Sequence, residues 1–282
     1  VKAHMTTRTD GCLLWHETAT VTYLEPQLLH AHKHLRCAFT TRHAGRSGQS
    51  LNLSFDKGDH ATVLAHRHNV LQALGLGQTP LCTVRQVHGN TVCIVDTDTL
   101  QHGLAGIAAD ALVTALPDVT LGVLVADCLP IVLYALDPPV LGIVHAGRMG
   151  TYHRVVEHTL AVMTQRFAVL PAHIHAVLGP TIGACCYTLD ARAVGPFQEH
   201  FASWEQFFLP QGPGRWTMDL LTANTLQLQT AGVPTSHMAI ASLCTVCHKH
   251  ELFSHRGEGQ EAGRGMALAA FTSALPDAPV VK

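Results

Sequence analysis

Three short apolar runs crowded into 25 residues constrain this chain most: Thr120–Ala126, Pro130–Ala135 and Val140–Val144. Each is too short for a helix that could bury itself, and each is rich in Val, Leu or Ile. They read as adjacent strands of a sheet covered on both faces, because such strands show unbroken hydrophobicity rather than alternation. The first and third stop at a polar residue followed closely by Pro or Gly, giving Ala-Asp-Cys-Leu-Pro at 126–130 and His-Ala-Gly at 145–147. A buried strand delivers a reactive side chain to the rim of a sheet in this way. A third such residue, His88, lies in Gln-Val-His-Gly at 86–89. Two imidazoles and one thiolate, His88, Cys128 and His145, form a three-ligand zinc set with a fourth position open to water or substrate. The long spacing leaves the plainer reading open: a core cysteine, and histidines bonded to loop carbonyls.

The chain has 282 residues, 47% hydrophobic and 13% charged, enough to build a substantial core and too apolar for disorder. Its net charge of −2 supplies no basic field for nucleic acid, so no nucleic-acid partner is expected. No stretch reaches the ~20 apolar residues of a membrane span, and no secretory segment is evident, so a cytoplasmic location is expected. The opening Val-Lys-Ala-His reads as an appended segment before a native start at Met5. Nine dispersed cysteines point to reduced thiols. Cys244-Thr-Val-Cys247 is a lone CxxC without the second pair of a zinc ribbon, and Cys185-Cys186 reads as core.

Histidine is abundant, with 21 residues, several in His-x-His pairs: His30/His32/His34, His66/His68, His173/His175 and His248/His250. Extended His-x-His shares a face and can hold a metal. On a helix the two rings diverge, which excludes His66 with His68. The rest read as solvated side chains dispensable for chemistry, with adventitious metal binding at His30–His34 as the alternative.

No repeat or linker divides the chain, and a single domain over 1–282 is expected. Strands are expected at Arg36–Thr41, Cys82–Val87, Val92–Asp96, Asp110–Thr114, His175–Leu178, Met238–Ser242 and Gly265–Phe271, with a loop over Gln101–Ala109. Helices are expected after Asp59, from Gly150-Thr151, over Ala191–Trp204 with an interruption at Pro196, and over Asp219–Ala231. Strands and helices without strict alternation define an α+β or irregular layered fold.

An ordered set of short motifs then carries a resemblance. It comprises Thr40-Thr41-Arg42, Ser50-Leu51-Asn52-Leu53, Gly58-Asp59, Gln86-Val87-His88-Gly89 and Ala126-Asp127-Cys128-Leu129-Pro130. It continues through His145-Ala146-Gly147, Gly179-Pro180, Cys185-Cys186-Tyr187, Asp219-Leu220, Cys244-Thr245, Phe253-Ser254-His255-Arg256 and Gly263-Arg264. From about Arg36 to Phe271 the chain resembles the YfiH-like family, also known as the multicopper polyphenol oxidase or laccase domain. The resemblance implies an αββα sandwich of two packed mixed sheets flanked by helices, and one Zn2+ on His88, Cys128 and His145. It also implies phosphorolysis of purine nucleosides with accessory adenosine deamination, the partners being a nucleoside and phosphate. Two departures stand out: HAG continues as Arg148-Met149 where the family has Trp and then a cation, and the loop after Thr-Thr-Arg reads His43-Ala44-Gly45-Arg46-Ser47.

For that reaction Arg42, Arg256 and Arg264 are candidate phosphate ligands, since guanidinium forks match phosphate oxygens. Surface ion pairing is the plainer alternative. Ser47 and Asn52 would bond phosphate or sugar, or merely stabilise turns. Asp127 would orient a ligand or move a proton, or else cap the turn before Pro130. Three other readings compete: a Cys-His hydrolase with Cys128 as nucleophile, a Cu2+ polyphenol oxidase, and a non-catalytic metal-binding module. The oxidase lacks the His-Cys-His segment that copper centres of that kind use.

Overall fold

The computed structural model describes residues 6–273, so the opening Val-Lys-Ala-His segment lies outside the described residues. Two sheets pack face to face. The first has seven strands in the spatial order Thr6–Asp10, Leu13–Glu17, Thr22–Pro26, Leu35–Thr40, Gly265–Phe271, Thr120–Val125 and Leu81–Cys82. The second has six: Met238–Ile240, His175–Leu178, Leu129–Leu136, Pro139–Ala146, Ala111–Thr114 and Val92–Ile94. Pairing is antiparallel except at three places: Leu81–Cys82 on Thr120–Val125, Val92–Ile94 on Ala111–Thr114, and Met238–Ile240 on His175–Leu178.

Side-chain parity explains the unbroken hydrophobicity of the central runs. In Leu129–Leu136, Leu129, Ile131, Leu133 and Ala135 face the helices Val155–Phe167, Ala191–His200 and Leu220–Thr230, while Val132 and Tyr134 face the other sheet. In Gly265–Phe271, Ala267, Ala269 and Phe271 enter the space between the sheets, and Met266, Leu268 and Ala270 lie under the helix His60–Ala73. Small alanines in this strand let the sheets approach closely. The layers therefore run helix, sheet, sheet, helices: the expected αββα sandwich.

Local signals account for the element ends. Asp59, Asp190 and Asp219 each accept the N–H three residues on and so start a helix. Gly75, at φ 72°, ends the first of these helices. Four expectations shift. Only Leu81–Cys82 pairs as a strand, because residues 83–87 leave the sheet to edge a cleft. Thr97–His102 is helical, capped by Asp96, within what the composition marks as loop. The helix expected from Gly150 begins at Arg148 and is broken at Arg154, whose φ of 58° separates Arg148–Tyr152 from Val155–Phe167. The helix expected through Trp204 ends at His200, with Pro196 inside it.

Leu220–Thr230 braces one wall of that cleft: Asn224 Nδ2 donates to Thr151 Oγ1 and Gln227 Nε2 to the Thr151 carbonyl, both buried. Asp219 accepts from the Thr222 N–H at 3.1 Å and hydroxyl at 2.8 Å. Asp219→Ala should lower stability by about 1 kcal/mol, the cost of a lost N-cap. Urea melts with an unchanged slope would check this.

Candidate active site

Hairpin geometry brings the ligand candidates together. Leu129–Leu136 and Pro139–Ala146 pair with Ala146 opposite Leu129 and His145 opposite Pro130, so Cys128 and His145 leave the sheet at the same end. His88 arrives from the segment that departs the other sheet. One donor atom from each of His88, Cys128 and His145 lies within 4.8 Å of the others. Their closeness depends on Gly147, where a Cβ would stand 2.6 Å from Cys128 Sγ.

Asp110, which from sequence reads only as the start of a strand, organises the group. It is fully buried. Its Oδ1 lies 2.9 Å from His145 Nδ1 and accepts the His88 N–H at 2.9 Å. Its Oδ2 accepts the Gly89 and Val87 N–H groups at 2.7 and 3.2 Å. The carboxylate thus fixes the ring of one candidate ligand and the backbone of another. His88 itself holds φ 59°, a left-handed conformation that costs about 1–3 kcal/mol and that the three N–H bonds to Asp110 compensate. With Nδ1 engaged, His145 presents Nε2 to the cluster.

The electrostatics follow from these contacts. Burial alone pushes the Cys128 thiol up, but the His145 charge and hydrogen bonds from His145 and His88 overcome it, leaving a pKa of about 6. Burial likewise disfavours charge on His145, yet the Cys128 thiolate and the Asp110 hydrogen bond raise it to about 9. Asp110 is held below the usual carboxylate range: burial opposes this, and the hydrogen bond from His145 leads the effects that outweigh it. Two nitrogens, one thiolate and a carboxylate bonded behind a ligand histidine suit a Zn2+ site with open positions.

These residues lie in a cleft of about 470 Å3. Arg85, Arg148, Arg256 and Arg264 line it, with His255, Tyr187 and Ser54. Arg256 Cζ sits 5.1 Å over the Tyr187 ring, and its Nη1 donates to the Thr188 carbonyl. Arg264 Nη1 is tied to the Ala262 and Gly263 carbonyls.

Other candidates fall elsewhere. Arg42 does not line the cleft: its Nη1 pairs with Glu258 at 2.8 Å and its guanidinium lies 5.0 Å over Phe253. Ser47 donates to the Ala44 carbonyl within its turn. Asn52 Oδ1 accepts the Ser54 and Arg264 N–H groups, so it positions the Arg264 backbone from behind the cleft wall. Asp127 lines the cleft, but its carboxylate is committed as an acceptor from Thr245 Oγ1, Ser254 Oγ and the Arg256 N–H, at 2.5, 2.7 and 2.5 Å. It gathers two distant stretches, at Thr245 and at Ser254–Arg256, behind Cys128, at a φ of 90°. Sequence reasoning misses Arg85, Tyr187 and His255 as cleft residues, although the last two stand inside family-like motifs. The His-x-His pairs enter neither metal-capable cluster found among the described residues. The His30 side chain lies outside the described residues, and His32 packs edge-on against Tyr134.

The chain belongs to a family described as multi-copper polyphenol oxidoreductase laccase, whose profile matches residues 36–272. It is 33% identical to the purine nucleoside phosphorylase YlmD of Geobacillus stearothermophilus, over 81% of this chain and 87% of that one. It is 32% identical to a protein named adenosine deaminase RL5, from an unknown prokaryotic organism, over 78% of this chain and 87% of that one. The fold matches the crystal structure of Bacillus licheniformis YfiH with a TM-score of 0.81 at 27% identity, covering 94% of this chain and 99% of that one.

Asp110→Asn keeps the shape of the carboxyl group but removes its charge. It should weaken metal binding at this cluster by about 10–100-fold, as loss of a carboxylate behind a ligand histidine does. Competition with a chromogenic chelator reads the change.

Proposed function

We infer that the chain is a purine nucleoside phosphorylase of the zinc-dependent kind, with adenosine deamination as a side activity. One observation carries this reading: a metal-capable His2Cys set and four arginines line the same cleft. Relatives named purine nucleoside phosphorylase and adenosine deaminase support it. The cleft volume suits a nucleoside and phosphate, since ligand pockets run from roughly 300 to 1,000 Å3. Zinc on His88, Cys128 and His145 would supply Lewis acidity toward a substrate oxygen, and water activation for deamination.

The chain's own groups divide the remaining work. Phosphorolysis forms a bond from a phosphate oxygen to C1′ of the sugar. The C1′–N9 bond breaks and its electron pair leaves with the purine. Two dispersed charges need neutralising, on the incoming dianion and on the departing base. Arg148 and Arg256 flank Tyr187 and are the best-placed phosphate ligands, with Arg85 and Arg264 extending the positive wall. Tyr187 offers a ring face for stacking. Asp127 fixes the Arg256 backbone, and Asn52 that of Arg264, so both clamps are held before substrate arrives.

The metal-free pair of thiolate Cys128 and imidazolium His145, backed by Asp110, also favours the Cys-His hydrolase as a second reading. The two separate in one assay. Adenosine, inosine, guanosine and methylthioadenosine are incubated with and without phosphate, and products are resolved by chromatography. Free base plus ribose 1-phosphate, formed only with phosphate, supports phosphorolysis. Absence of that product from every nucleoside overturns it, and chelator-insensitive turnover abolished by thiol alkylation would favour the hydrolase.

Arg148→Ala and Arg256→Ala should each raise the phosphate KM about ten- to a hundredfold, the effect of losing ~1.5–3 kcal/mol of charge-assisted bonding. Metal content should stay constant. Arg42→Lys, which keeps a cation beside Glu258, should leave that KM nearly unchanged. Steady-state kinetics at varied phosphate distinguish these outcomes.

A further inference from the structure

A second group of potential ligands lies in the same end of the fold. Cys185, Cys186, Cys244 and Cys247 place their four Sγ atoms within 4.8 Å of one another. Cys247 Sγ lies 3.7 Å from Cys185 Sγ and 3.6 Å from Cys186 Sγ. None of the four is in a disulfide. Metal–sulfur bonds of ~2.3 Å in a tetrahedron require sulfur–sulfur edges of about 3.8 Å, close to these separations.

The backbone around the cluster matches that purpose. The Gly183 N–H donates to Cys244 Sγ at 3.3 Å. Such bonds stabilise a thiolate. Gly183 admits the approach, since a Cβ there would stand 3.2 Å from both Cys185 Sγ and Cys244 Cβ. The Gly183 carbonyl accepts the N–H groups of Cys186 and Tyr187, a tight turn that brings both adjacent cysteines to one side. From sequence, Cys185-Cys186 reads as core and the CxxC as unpaired. In the fold, Cys185 and Cys247 are solvent-exposed and the two pairs meet.

We propose that Cys185, Cys186, Cys244 and Cys247 bind a structural Zn2+ as four thiolates, distinct from the His88–Cys128–His145 centre. Binding releases the thiol protons to solvent and involves no oxidation. All four positions are filled by protein, so the site is closed to substrate. Its role is to clasp two loops. One, Thr181–Tyr187, supplies Ile182 and Tyr187 to the cleft; the other, Leu243–Glu251, supplies the Thr245 hydroxyl that bonds Asp127. Thr181 and Cys244 also form a β-bridge, so the clasp extends an existing contact. A tetrathiolate site needs no substrate and no turnover, so it stands or falls separately from the phosphorylase reading.

The test uses the full chain, purified under reducing conditions from zinc-supplemented cells, with metal measured by plasma mass spectrometry. Cys128→Ala removes the thiolate of the first centre and keeps the four-cysteine cluster whole. We expect it to retain about one tightly bound zinc per chain, and Cys128→Ala/Cys185→Ser/Cys247→Ser to retain essentially none. Cobalt exchanged into Cys128→Ala should show the intense visible bands and sulfur-to-cobalt charge transfer of a tetrahedral tetrathiolate, a readout that needs no change at the cluster. Nucleoside turnover is not measured, so failure of the phosphorylase reading leaves this result intact. The proposal is overturned if Cys128→Ala holds no metal and cobalt gives no tetrathiolate spectrum. Non-reducing peptide maps of the freshly isolated protein that join Cys247 to Cys185 or Cys186 by a disulfide would overturn it as well.

Discussion

The buried carboxylate of Asp110 is the constraint on which the candidate site depends. A charge in an apolar interior costs several kcal/mol unless it is fully bonded. Here three N–H groups and one imidazole nitrogen supply the bonds, and the Asp110 carbonyl accepts the His145 N–H as well. The requirement runs in both directions. Asp110 is tolerable only if residues 87–89 curl over it and His145 turns toward it. His88 and His145 are therefore aimed by the need to satisfy a buried acid, whether or not a metal is bound.

Asp127 plays a related part on the other side of Cys128. Its carboxylate collects Thr245, Ser254 and the Arg256 backbone, and its carbonyl accepts the Thr181 hydroxyl and the Ile182 N–H. Segments more than a hundred residues apart in sequence thus converge one residue from the thiolate. Non-glycine left-handed backbone occurs at both His88 and Asp127. Strain at two points flanking one cleft is what a site assembled ahead of its ligand requires.

Legibility in the sequence follows the range of the physics involved. The central strands can be read because burial on both faces writes a continuous apolar run. The trio His88, Cys128 and His145 can be picked out because each stands where such a segment meets a turn. The meander Thr6–Pro26 and the small sheet of Thr188–Asp190, Arg215–Met218 and Phe208–Gly212 escape a sequence reading. Short strands, many of their positions open to solvent, carry no periodic signal strong enough to separate them from loop. Asp110 is a single acid in an apolar stretch and has no spacing to betray a partner. Arg42 looks like an anion ligand because it follows a strand and precedes a Gly/Ser loop; Glu258, from the far end of the chain, captures it instead. The four cysteines show the same limit. An adjacent pair and a CxxC some sixty residues apart match no zinc-ribbon spacing, and only the fold joins them.

The His88–Cys128–His145 centre sets a proton against a metal ion. With Cys128 near 6 and His145 near 9, the metal-free site at neutral pH is a thiolate beside an imidazolium. A Zn2+ ion held here would take the thiolate as it stands but would need the His145 Nε2 lone pair, so its binding would have to expel that proton. The charge balance would be favourable, because a dication would replace a single positive charge next to the same thiolate. Asp110 does not have to rearrange, since it holds the Nδ1 proton in both states. Metal affinity should consequently rise with pH while His145 titrates and level off above about 9, with roughly one proton released per ion near neutrality. A site wired in this way is ordered before metal arrives and charged to attract it. The same wiring makes the metal-free state a thiolate–imidazolium pair with nucleophilic character of its own.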